Sequence, residues 1–261
     1  MDSEAIFREL EAAWLASDAA DQIVASLQQY KDFEEVLTVV TCAFGLAASA
    51  MRTAAAAIEL THRGFGAEVG PLVRLTFENA MAIQSLVTHG FAAVEAFGRS
   101  YASNLKRLQD ISAFDQPGIH EAESAWIDEF RKAASKSIAG PADNAIKTAS
   151  IGKSGNDAMA MLYFGWLKTT QTSHAGIVTS RNYVRISTDE TKVEFQRMFT
   201  SDYEYADCRT LLLAPVLEAL LGYTNLGPTN LVETLPPIMA KVDLLTDAYL
   251  KARVSRGAAP E

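Results

Sequence analysis

A chain of 261 residues, 49% hydrophobic and 21% charged, has the balance of a protein that buries a sizeable core in one large domain or two small ones. A net charge of −9 excludes a broad nucleic-acid surface, which needs clustered Lys and Arg, but leaves room for a small local basic site. Two cysteines, Cys42 and Cys208, lie far apart in apolar helical patterns. They exclude a disulfide framework or zinc knuckle and fit reduced thiols in a cytoplasmic protein.

The N-terminus, MDSEAIFREL, has no basic region ahead of an apolar run, so no signal peptide is expected. Ser3 can cap a first helix, with Glu4 in its first turn. Ile6, Leu10, Ala13, Trp14 and then Ile23, Val24, Leu27 recur at helical spacing, with a break near Ser17–Asp18. Asp32 can cap a long helix from about Phe33 to about Thr61. Its uncharged run, Val36 to Met51, has 16 residues. That is short of the roughly 20 a membrane span needs. It is rich in Ala, Thr, Ser and Gly, so a buried bundle helix is expected and not a membrane span.

Gly64 and Gly66 end that helix, and Pro71 sits in the first turn of the next, which runs to about His89. His62 reads as an exposed group at the helix C-terminus. Beyond Gly90, Val94, Phe97, Tyr101, Leu105 and Leu108 predict a helix to Ile111. A turn at Asp115–Gly118 and a short amphipathic helix at 121–135 follow. Ile138 to Asn156 reads as a long surface loop with a helical turn at Asp143–Thr148. A central helix is predicted from Asp157 to Arg181. Tyr183, Val184, Ile186, Val193 and Phe195 suggest two short strands around a turn at Thr188–Glu190. Asp202 opens a helix to about Tyr223. Gly227–Pro228 breaks it, and a last helix from Thr229 to Arg253 is interrupted at Pro236–Pro237. With no repeat and no linker, the expectation is all-α: one domain, 1–251, of about seven or eight helices with a short β-hairpin near 183–198. Residues 252–261 read as a disordered tail.

Two of these helices carry candidate chemistry. Between Val69 and Val94 the only charged residues are Arg74 and Glu78, one turn apart and able to pair. One reading is a structural ion pair that fixes helix register, since buried charge needs a partner. The other is a site in which Arg74 recognises an anion and Glu78 orients it or acts as a base. On the central helix the only charge between Ala158 and Ser180 is Lys168. At about 100° per residue, Tyr163, Leu167, Thr170, His174, Ile177 and Arg181 fall on one stripe. His174 is either a satisfied core histidine or an acid–base group. A Glu78–His174–Arg74 set would suit metal-free acid–base chemistry.

Other motifs fall away. IGKSG at Ile151 would need a glycine where Lys147 stands to complete a phosphate loop. His62, His89, His120 and His174 lack metal-ligand spacing, and no serine lies in GxSxG. No metal or cofactor is expected.

The run Leu72-Val73-Arg74 with Glu78, followed by Tyr163-Phe164-Gly165-Trp166-Leu167 and the Thr170…His174 step, resembles a bacterial all-helical family of unknown function. The likeness spans about Glu59 to Arg185. Members usually carry Ser where Thr170 stands and often Pro after the His, where this chain has Ala175. The resemblance implies a helical fold and a site, and no activity. A looser likeness is to HEPN ribonucleases, helical dimers with Arg-x(4–6)-His on one helix. Here the order is reversed, His174 then Arg181.

Three functions follow as expectations. In the first, Arg74 and Thr170 bind a small anionic or phosphate-bearing ligand and His174 and Glu78 supply acid–base groups. In the second, which the HEPN likeness implies, a homodimer brings His174 and Arg181 together to cleave RNA without metal, as a toxin or phage-defence component. In the third, the polar residues only specify packing in a non-catalytic interaction protein.

Overall fold

The computed structural model describes residues 2–17, 20–112, 128–129, 132, 135–136, 139–145, 157–173, 184–186, 193–195, 206–227 and 229–257. Among them are nine α-helices: α1 (Ser3–Leu15), α2 (Ala20–Leu27), α3 (Phe33–His62), α4 (Gly70–His89), α5 (Phe91–Ser112), α6 (Pro141–Ala145), α7 (Asp157–Ser173), α8 (Ala206–Leu226) and α9 (Leu231–Gly257). The chain is an all-α bundle. α1 ends and α2 begins on either side of the break expected near Ser17–Asp18, and the helical turn expected at Asp143–Thr148 is a short helix at Pro141–Ala145. Most of the helix expected at 121–135 lies outside the described residues. Val184–Ile186 and Val193–Phe195 pair antiparallel, with Arg185 opposite Glu194; residues 187–192 between them lie outside the described set.

Several local expectations are corrected. The cap of α1 is Asp2, whose Oδ1 accepts from the Glu4 N–H at 3.0 Å, and Ser3 is the first helical residue. Asp32 precedes α3 but makes no capping hydrogen bond. Pro236 and Pro237 do not break α9. They fall in its second turn, so the carbonyls they leave without helical N–H partners belong to Val232 and Glu233. Both of those residues are exposed, so water can serve their carbonyls. α9 also runs to Gly257, into the stretch expected as a tail. Gly90, by contrast, ends α4 as expected. Its φ of 55° is a conformation few other residues adopt cheaply, and its N–H closes on the Leu86 carbonyl at 2.8 Å.

α4 is the axis of the bundle and lies against α3, α7 and α8. α3 buries Ala43, Ala47, Ala50, Ala54 and Ala57 completely, at alternating four- and three-residue steps. Methyl side chains favour helix and let backbones approach closely. By length and hydropathy α3 could cross a membrane, but here its alanine stripe lies in the core. Two polar contacts register the α3–α4 pair: Asn79 Nδ2 donates to Ser49 Oγ at 2.9 Å, and the Thr53 and Thr76 hydroxyls lie 2.9 Å apart. α8 closes on the other side, where Gly222 faces Ile83. α1 packs on α8 and α9. Trp14 of α1, Phe44 of α3 and Tyr223 of α8 form a three-ring cluster with centroids 5.1–6.0 Å apart.

At the far end, Arg99 of α5 grips Asp143 of α6 through two hydrogen bonds of 2.7 Å. The Gly140 N–H adds a third, also 2.7 Å. The Arg99 hydrogen bonds, and then the Gly140 N–H, hold the Asp143 carboxyl down at about 2 against an ordinary 3.8. A depressed folded-state value stabilises above the unfolded value and is lost as pH falls through the folded one. Asp143→Asn is therefore expected to cost about 1 kcal/mol at pH 7. In thermal melts from pH 7 to pH 2, the gap from wild type should persist to near pH 4 and close by pH 2.

Candidate functional site

α4 opens at Gly70, and Pro71 costs nothing in a first turn whose N–H groups lack helical partners anyway. One turn on, Val73, Phe77 and Met81 turn inward. Arg74 and Glu78 lie at the edge of that buried face. The pair was expected inside an apolar core; it sits at the rim, with 24% and 34% of the two side chains exposed. Rim placement lowers the desolvation cost that a buried pair would carry.

Arg74 Nε donates to Glu78 Oε1 at 2.9 Å. The same oxygen accepts from Trp166 Nε1 of α7, also at 2.9 Å. The Arg74 guanidinium carbon lies over the indole, 5.3 Å from its centroid. The three groups thus close a triangle of ion pair, charge-assisted hydrogen bond and cation–π contact. Tyr163, one turn before Trp166, stacks on the indole at 5.7 Å and 18°.

The sites foreseen on the two helices fare unequally. Arg74 and Glu78 are brought together as paired neighbours on α4. Thr170 lies on α7 one turn past Trp166, but its hydroxyl donates to the Trp166 carbonyl at 2.7 Å. That internal bond leaves it an acceptor for any ligand. His174 and Arg181, on which the acid–base and ribonuclease readings depend, lie outside the described residues.

Trp166 is the member of this cluster that the sequence does not single out. In the sequence it stands only as part of the aromatic run Tyr163-Phe164-Gly165-Trp166. A buried indole N–H seeks an acceptor and Glu78 is the only carboxylate on α4, but neither segment shows that the two helices touch. Gly165 makes the contact geometrically feasible. A Cβ there would fall 2.3 Å from Phe77 Cζ, so only glycine lets α7 come this close to α4.

Two other polar clusters were not foreseen. Gln84 Nε2 reaches the Glu218 carbonyl at 3.2 Å and its carboxylate at 3.3 Å, and burial pushes the Glu218 carboxyl up. His62, expected as an exposed helix end, places Nε2 3.1 Å from Glu4 Oε2. Arg8 and Arg209 close on the same carboxylate. The Arg8 hydrogen bond, helped by His62 and Arg209, holds Glu4 below the ordinary carboxylate range. This cluster rims a cleft of about 240 Å³ between α1 and the end of α3. Among the described residues no group of three His, Cys, Asp or Glu is placed to hold a metal.

No protein-family model, curated protein or solved structure matches the chain, so the reading of this site rests on its own geometry.

Proposed function

We propose that the protein binds a small anionic or phosphate-bearing ligand at the α4–α7 rim, with Arg74 as the charge that receives it. The observation that supports this reading is a guanidinium fixed in advance. Its Nε is tied to Glu78, its central carbon lies over Trp166, and a quarter of the side chain is open to solvent. A guanidinium already held loses little rotamer freedom on binding, and its planar fork suits phosphate or carboxylate oxygens. Glu78 orients Arg74 in this scheme. Thr170, one turn past Trp166 on α7, is assigned the part of an acceptor, and His174, beyond it on the chain, is assigned the donor or acid–base part.

Isothermal calorimetry with inorganic phosphate tests the proposal. Arg74→Gln is expected to weaken binding at least about tenfold, the worth of one charge-assisted contact. Its melting midpoint should stay close to wild type, since rim ion pairs contribute little. Unchanged affinity in Arg74→Gln would remove the reading.

A further inference from the structure

The bundle covers only one side of α3. Of its most apolar stretch, 33% is buried. Opposite the alanine stripe runs a second one, Glu34, Thr38, Thr41, Gly45, Ala48 and Arg52, at alternating four- and three-residue steps. All six are exposed except Ala48, which is half-buried. Glycine weakens a helix interior, and the chain's own packing gives Gly45 no reason to be one. A Cβ there would meet nothing within 4 Å, unlike one at Gly165 or Gly222. The charges that end the stripe are unused as well. Glu34 and Arg52 stand 18 residues apart, five turns of about 3.6, so they share one direction from the helix axis. Neither makes an ion pair with another described residue.

We infer that this face of α3 docks, antiparallel, on the same face of a second copy of the chain. The stripe is symmetric in spacing and opposite in charge at its two ends. With a two-fold axis midway between Thr41 and Gly45, Thr41 of each copy faces Gly45 of the other, Thr38 faces Ala48, and Glu34 faces Arg52. A two-fold contact repeats each pair, so an ion pair closes the seam at both ends. A parallel pairing would instead set Glu34 against Glu34 and Arg52 against Arg52. Small residues in the middle let the two backbones come close, which gives Gly45 its use. Steps of four and three average about 3.5, which keeps such a seam in contact along a shallow left-handed crossing. A lipid surface is the rival occupant. Charge at each end and Thr, Gly and Ala between offer it little apolar area. This inference stands apart from the Arg74 reading.

Sedimentation equilibrium of the full chain, from dilute to concentrated protein, is the test. The wild-type mass should rise above 28.3 kDa with concentration and level off at twice that value. One helix per copy makes a small interface, so the association should be reversible. Arg52→Glu alone and Glu34→Arg alone should each weaken it at least about tenfold, since both ends then set like charges together. An equal mixture of these two variants, or both substitutions in one chain, should restore it, because every facing pair is again opposite in sign. Gly45→Leu should abolish association by holding the helices apart. Its melting midpoint in dilute solution should stay at or above that of wild type, since leucine is the better helix former and the site is open. A wild type that stays monomeric at every concentration overturns the inference. So does association that survives in folded Gly45→Leu, or that the mixture of charge variants fails to restore. Monomeric protein that floats with phosphatidylglycerol vesicles assigns the face to a membrane and overturns it too.

Discussion

Gly165→Ala is expected to destabilise the fold by about 1–3 kcal/mol, although alanine is the better helix former. On propensity alone the change should stabilise an internal helical position by about 1 kcal/mol. Space reverses the sign. The new Cβ would lie 2.3 and 2.4 Å from Cζ and Cε1 of Phe77. Phe77 is 2% exposed and sits beside Glu78 on α4, so its ring has no solvent side into which to retreat. Either the ring leaves its rotamer or α7 lifts, and lifting α7 stretches the Trp166–Glu78 bond. Urea unfolding of the two proteins decides the matter. Phe77→Leu in the Gly165→Ala background should recover part of the loss, with a coupling of at least about 0.5 kcal/mol. A stabilised Gly165→Ala would mean that the helices do not approach this closely.

Tyr223→Ala should cost more, about 3–5 kcal/mol, the range for truncating a buried aromatic. Tyr223 is 1% exposed and touches Trp14 and Phe44, so one side chain joins α8 to α1 and α3. For a chain of this size the melting temperature should fall by on the order of 10 °C. α1 should become the earliest site of limited proteolysis, because it relies on α8 and α9 for its packing. A loss below about 1 kcal/mol would show that the ring cluster does not anchor α1.

The helices whose ends carry strong punctuation were legible in the sequence. Asp32 before one end of α3 and Gly64 beyond the other bracket a continuous apolar pattern, and Gly90 fixes the end of α4 through its backbone angle. The Arg74–Glu78 pair was legible too, because four residues is the helical turn itself. Its exposure was not, since that depends on which neighbour covers the rim. Trp166 as the partner of Glu78 requires knowing that α4 and α7 touch, and nothing local to either segment says so. Asp2 and Ser3 are both good caps, and only the backbone geometry chooses between them. The double proline misled for a related reason. Its cost depends on whether the orphaned carbonyls meet water or protein, which is a property of the surface and not of the residue.

Glu78 Oε1 accepts from both Arg74 and Trp166, and this concentrates dependence in one atom. Losing the guanidinium leaves the indole tied to α4, and losing the indole leaves the guanidinium tied. Losing the carboxylate oxygen removes both of these bonds at once, while the cation–ring contact remains. The two bonds thus come from different donors and share one acceptor. The ion pair within α4 and the tie between α4 and α7 share one fate.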